Sequence, residues 1–91
     1  MLEFEWDSSK ANANLKKHGV PFEEGASIFG DPLSLTIPDP QHSQQEQRFI
    51  TVGVSAKART LVVVHVERGD RVRIISARLA TKGERKTYEE I

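Results

Sequence analysis

The chain has no cysteine, one tryptophan, one tyrosine and no long apolar run. Without cysteine, disulfides and thiolate-held metals are excluded, and the cytoplasm is the expected location. No stretch approaches the roughly 20 apolar residues that span a bilayer. The opening MLEFEWD has none of the marks of a signal peptide, so no membrane association is expected. The three histidines, His18, His42 and His65, are too scattered for a zinc motif. There is no HExxH, no phosphate-binding glycine-rich loop, no GxGxxG and no Ser-His-Asp signature. Neither a metal nor another cofactor is therefore expected. Repeats, low-complexity tracts and linkers are also absent, so the 91 residues read as a single domain, 1–91, with one modest core.

Net charge is missing too, because 13 basic and 13 acidic residues cancel. Their distribution is uneven. Residues 1–47 hold three bases (Lys10, Lys16 and Lys17) against eight acids. Residues 48–86 hold ten bases against only Glu67, Asp70 and Glu84. Local field rather than total charge attracts phosphates, so a neutral chain can carry a basic face suited to nucleic acid. The alternative is that the two regions pair with each other.

Hydrophobic periodicity and capping residues divide the chain. LEFEW alternates apolar and acidic residues and reads as a short strand with Leu2, Phe4 and Trp6 on one face. Asp7 offers an N-cap to a helix over SSKANANLKKH, which Gly19 stops. Pro21 suits the first position of a second helix, PFEEGASIF. LSLTI is a possible extra strand, and PDPQHSQQ, with His42, reads as an exposed loop. QEQRFITVGVS, TLVVVHVE and RVRIISAR are strands, the last two forming a hairpin. Thr81 and Glu84 have capping-box spacing for a last helix. The order β-α-α-β-β-β-α predicts an α+β fold, with two N-terminal helices and a C-terminal helix on one face of a mostly antiparallel sheet.

The hairpin register decides what the open face carries. A three-residue loop of Arg68, Gly69 and Asp70 places Glu67 opposite Arg71 and His65 opposite Arg73. One face is then apolar (Val62, Val64, Val66, Val72, Ile74), and the other carries His65, Glu67, Arg71 and Arg73. A two-residue loop of Gly69 and Asp70 mixes these sets, so the first register is expected. Arg48 on the neighbouring strand, with Glu46 two residues earlier, is expected to join the polar face.

Such a face suits phosphate. Arginine contacts it bidentately, and histidine exchanges protons near neutrality. These are the parts of a metal-independent ribonuclease. A base takes the 2′-hydroxyl proton, the oxygen attacks the adjacent phosphate, cations stabilise the developing charge, and a second group protonates the leaving 5′-oxygen. The plain alternative is a row of solvated strand charges. Lys17 and His18 complement a helix C-terminus, and reach phosphate only if that end borders the face. Arg78 shares a face with Ile74 and Ser76 by simple alternation. A bulge near Ala77 would turn it outward, where Glu84 or Glu89 could pair with it. Trp6 and Tyr88 are expected to pack rather than stack on bases.

Three segments, WDSSKANANLKKHGVPFEEGASIFGD, EQRFITVGVSA and VERGDRVRIISARLATKGERKTYEE, resemble in this order the pattern of the BrnT toxins of type II toxin–antitoxin systems. The most specific parts are KHGVPFEEG, with Gly25 where the pattern has Ala, and RIISARLATKGER. The resemblance covers nearly the whole chain. It implies a RelE-like fold and an RNA-cleaving, translation-arresting toxin that needs no metal. It also implies an antitoxin of the BrnA kind, with a DNA-binding domain, in a toxin–antitoxin hetero-oligomer that represses its own promoter. Arg48, Arg73, Arg78, Glu46, Lys17 and His18 fall in the matching segments, as does Arg71, whose place in the site, like that of His65, comes from the face assignment. A module of the same fold that only binds RNA or antitoxin is the alternative function.

Overall fold

The computed structural model describes residues 2–39 and 46–90, so the expected loop around His42 lies largely outside the described residues. The elements are β1 (Glu3–Glu5), α1 (Ser8–His18), α2 (Phe22–Ser27), β2 (Leu35–Asp39), β3 (Arg48–Val54), β4 (Thr60–Arg68), β5 (Arg71–Leu79) and α3 (Lys82–Glu89). One 3-10 turn, Ile28–Gly30, extends α2. The sheet order is β1-β5-β4-β3-β2, with only β1–β5 parallel. The class is α+β as expected, and the extra short strand is present as β2.

Local chemistry sets the helix ends. The Asp7 carboxylate accepts from the Lys10 amide at 3.0 Å, and Gly19 adopts the left-handed conformation (φ 70°) that ends α1. Thr81 and Glu84 close the expected capping box on α3. Helices α1 and α2 cover the sheet face that carries Leu61, Val63, Ile74 and Ala77, and Val20, Phe22 and Ile28 fill the layer between. Each of these larger side chains contributes about 1.5–3 kcal/mol by leaving water. Phe4 packs on Phe29 (centroids 5.3 Å), and Trp6 meets Phe22 edge-on at 6.0 Å, so Trp6 packs as expected. Gly25 brings α2 close to the sheet, since a Cβ there would lie 3.1 Å from that of Ala77.

The expected hairpin register is corrected. The turn has two residues, Gly69 (φ 65°) and Asp70. Arg68 therefore faces Arg71, Glu67 faces Val72, and His65 faces Ile74. A left-handed glycine suits this tight connection. The two-residue loop does mix the sets: Val64 and Val66 share the open face with Arg71 and Arg73, and Glu67 shares the helix side with Val72 and Ile74. A bulge on β5, where pairing shifts from His65–Ile74 to Val64–Ser76, then resets the alternation. Beyond it Ala77 rejoins Val63 on the helix side, and Arg78 turns to the other face opposite Val62.

Two further contacts shape the molecule. Strand β1 pairs β5 only as far as Arg73. Farther along that edge the Asn14 amide takes the place of a strand. Its Nδ2 donates to the Ala77 carbonyl (2.7 Å) and the Val20 carbonyl (3.0 Å), and its Oδ1 accepts from the Ala77 amide (3.1 Å). Helix α3 buries no residue and is held by polar ties. Glu84 pairs with Arg78, and the Tyr88 hydroxyl donates to Asp31, which also accepts from the amides of Leu33 and Val54. Because Arg78 leaves the sheet on the face opposite α1 and α2, α3 does not lie beside those helices. It spans the end of the sheet, from β5 to the turn before β2.

Candidate functional site

Directly paired residues share a face, so the register writes out the surface opposite α1 and α2. One row across the strands reads Asp39, Arg48, Val66, Arg73, Glu5. The next reads Arg68, Arg71, Glu3. Four arginines from three strands thus gather at one end of the open face. Val66 lies between Arg48 and Arg73 and is only 4% exposed, as expected if arginine stems lie along it.

Carboxylates hold this cluster in distinct ways. Glu46 accepts from Arg68 Nε at 3.0 Å and Nη2 at 2.7 Å. These bonds, with the fields of Arg73 and Arg48, hold its carboxyl below the usual range, so it is ionised at neutral pH. Arg73 gives Glu5 a single bond, Nη1 to Oε2 at 2.8 Å. The other Glu5 oxygen lies 3.9 Å from Arg71 Nη1, and Glu3 lies 3.5 Å from Arg71 Nε. The Arg68 fork is therefore engaged at two nitrogens, whereas Arg73 and Arg71 retain further donors. Acids of the first region and bases of the second do pair here, and again in the Glu24–Arg59 bridge on the other side of the molecule.

Arg48, Arg71, Arg73 and Glu46 are brought together as expected. Arg78 is on the same face but at its far end. Both its terminal nitrogens donate to Glu84 (2.7 and 2.8 Å), which pushes the Glu84 carboxyl down to about 2. His65 does not join them. The corrected register turns it to the helix side, where it is fully buried. Its Nε2 lies 2.7 Å from Thr51 Oγ1, which is 2.7 Å from Thr36 Oγ1. Phe29 stands edge-on to it at 4.9 Å and Phe49 is stacked at 5.9 Å. Burial pushes its pKa down to about 4, so it is neutral at pH 7 and structural in its surroundings. Lys17 and His18 end α1 on the helix-covered side, with the sheet between them and the arginines.

Glu5 and Arg68 were not singled out by sequence reasoning. The alternation in LEFEW showed Glu3 and Glu5 on one face, but nothing local announced that β1 runs parallel to β5 and delivers them to Arg71 and Arg73. Among the described residues, no three His, Cys, Asp or Glu side chains come together as metal ligands would. Among them, too, no helix is long and apolar enough to cross a membrane.

Fold and site together define a small α+β protein with arginines and carboxylates gathered on the bare face of its sheet. The family described as "Ribonuclease toxin, BrnT, of type II toxin-antitoxin system" matches residues 6–84, and the chain belongs to that family. The 1.1 Å crystal structure of the Brucella abortus ribonuclease toxin BrnT shares the fold. Its TM-score is 0.65 at 20% identity, over 90% of this chain and 100% of that one. A search of curated proteins finds no match. Membership in the family brings RNA as substrate and an antitoxin as partner.

Proposed function

We propose that the protein cleaves RNA without a metal ion, at the arginine-rich end of the open face, and thereby arrests translation. The carrying observation is the convergence of Arg48, Arg71 and Arg73 beside an ionised Glu46 on a face that no helix of the first layer covers. Arg73 and Arg48 bind the scissile phosphate and stabilise the charge that builds on its oxygens. Glu46, fixed by Arg68, takes the proton of the 2′-hydroxyl as its oxygen attacks. The leaving 5′-oxygen is protonated from solvent. DNA, lacking the 2′-hydroxyl, is inert to this route. In this reading Arg78 anchors α3, His65 supports the core, and Lys17 and His18 stand apart. A BrnA-like, DNA-binding antitoxin neutralises the toxin in the cytoplasm by forming a hetero-oligomer with it.

The test is cleavage of a long RNA in EDTA by wild type and Arg73→Ala. Loss of a donor to the transition-state oxyanion is expected to slow cleavage by roughly 100-fold or more. Equal fragmentation by both removes Arg73 from the site. Intact RNA with salt-sensitive binding favours the second reading, a module that binds RNA or antitoxin without cleaving.

A further inference from the structure

One carboxylate, Glu5, touches two of the arginines. Its Oε2 accepts from Arg73 Nη1 at 2.8 Å while its Oε1 lies 3.9 Å from Arg71 Nη1. It is the more sheltered acid of β1, with a side chain 28% exposed against 63% for Glu3. Its position is set by the parallel register that pairs Glu5 with Arg73. Phe4, between the two acids, points the other way into the core against Phe29. The backbone holding Glu5 is therefore anchored from beneath.

Without an acid between them, Arg71 and Arg73 would repel each other. They stand two residues apart on one strand face, about 7 Å in backbone spacing. Arg68 adds to the crowding, and the field of Glu5 reaches it as well. An arginine free to swing loses rotamer entropy each time it is fixed on a phosphate. Glu5 removes that freedom in advance by taking one N–H of Arg73 from the β1 side. The Arg73 Nε and Nη2 donors remain for a ligand.

We propose that Glu5 is the positioning residue of the site. It sets the orientation of Arg73 at the scissile phosphate, and the distance from there to Arg71, which holds a neighbouring phosphate of the same single-stranded RNA. This rests on the proposed ribonuclease reading and adds a consequence of its own. A fixed carboxylate beside a phosphate site weakens ground-state binding of a polyanion. It also holds the guanidinium where the transition state needs it. Glu5 thus lowers affinity and raises turnover together.

The experiment compares wild type, Glu5→Gln, Glu5→Asp and the control Glu23→Gln, an exposed acid of α2 on the other side of the sheet from the arginines. Two quantities are read: affinity for an uncleavable 2′-O-methyl oligonucleotide, and kcat on the matching RNA. Glu5→Gln is expected to bind the oligonucleotide severalfold more tightly yet to cleave roughly 10- to 100-fold more slowly, the scale of loss from a misplaced catalytic group. Glu5→Asp, which keeps the charge, is expected to recover part of the turnover. Weakened binding and turnover together, with a lowered melting temperature, would make Glu5 merely structural and overturn the proposal. So would unchanged kinetics. A wild type that cleaves while Glu5→Gln behaves identically sinks this inference alone. A wild type that cleaves nothing sinks the ribonuclease reading with it.

Discussion

Arg73 and Arg78 stand on one strand and one face, yet their partners separate them. Arg73 gives Glu5 one hydrogen bond and keeps donors for a ligand, whereas Glu84 takes both terminal nitrogens of Arg78. Arg78→Ala is therefore expected to leave RNA cleavage within a few-fold of wild type. It should cost about 1 kcal/mol of stability, the scale of a half-exposed pair of good geometry, read as a lower melting temperature. His65 carries an acid sensitivity instead. Its pKa is about 4 in the fold against 6.5 when exposed, so the unfolded chain binds the extra proton first. Stability is complete above about pH 6.5 and falls as pH drops toward 4, by about 3 kcal/mol for this one group. His65→Gln should flatten that part of a denaturation-versus-pH curve, and an unchanged curve would place the sensitivity elsewhere. Below it, the Glu84 carboxyl, held at about 2 against 4.5, adds stability that fades as pH falls from 4.5 toward 2. Nothing in TLVVVHVE told His65 from its neighbours. Periodicity shows that residues alternate, but which set faces the helices depends on pairing with another strand.

At the scale of elements, capping was the legible part. Asp7, Gly19, Thr81 and Glu84 act within a few residues of themselves, so their roles can be read directly. The hairpin register was not legible, because VERGDRVRI alternates under either turn length, whereas the bulge that turns Arg78 outward to Glu84 lies close to Ala77, where sequence reasoning allows one. The two-residue turn mixes the faces after all, with Val64 and Val66 among the arginines and Glu67 beside Val72. Part of KHGVPFEEG is structural. Val20 and Phe22 fill the core, and Glu24 accepts from Arg59 and from the Ser55 hydroxyl. The loop-facing side of the core is equally tight. A Cβ on Gly53 would lie 3.1 Å from that of Ser34 and 3.2 Å from Ile28 Cβ and carbonyl oxygen. Gly53→Ala should destabilise by about 1–3 kcal/mol through overpacking, measurable by urea denaturation. Asn14 makes a similar point for α1. Asn14→Leu leaves the Ala77 amide and carbonyl without partners in a buried place, for a loss of about 3 kcal/mol.

Across the whole molecule, the segregation of charge in sequence resolves into pairing across space. Glu3, Glu5, Glu24 and Glu46 of the acidic region meet Arg71, Arg73, Arg59 and Arg68 of the basic one. The pairing expected as the alternative is what the structure shows. The arginines share one end of one face, where Asp39, Glu3, Glu5 and Glu46 stand beside them in equal number. A sequence shows how many charges each region has but not which guanidinium keeps a spare donor. The arginine end of the sheet was foreseeable in outline, and the division of labour within it was not.

The amide of Asn14 has one more consequence, for behaviour at high concentration. Strand β5 is nine residues long, and β1 covers only its first three. A side chain that satisfies Ala77 from the flank denies that stretch to any neighbouring molecule seeking a strand to pair with. The helix residue that docks α1 thus also acts as a guard against self-association. Asn14→Leu protein should form higher-order species in light scattering even where enough of it remains folded to cleave RNA.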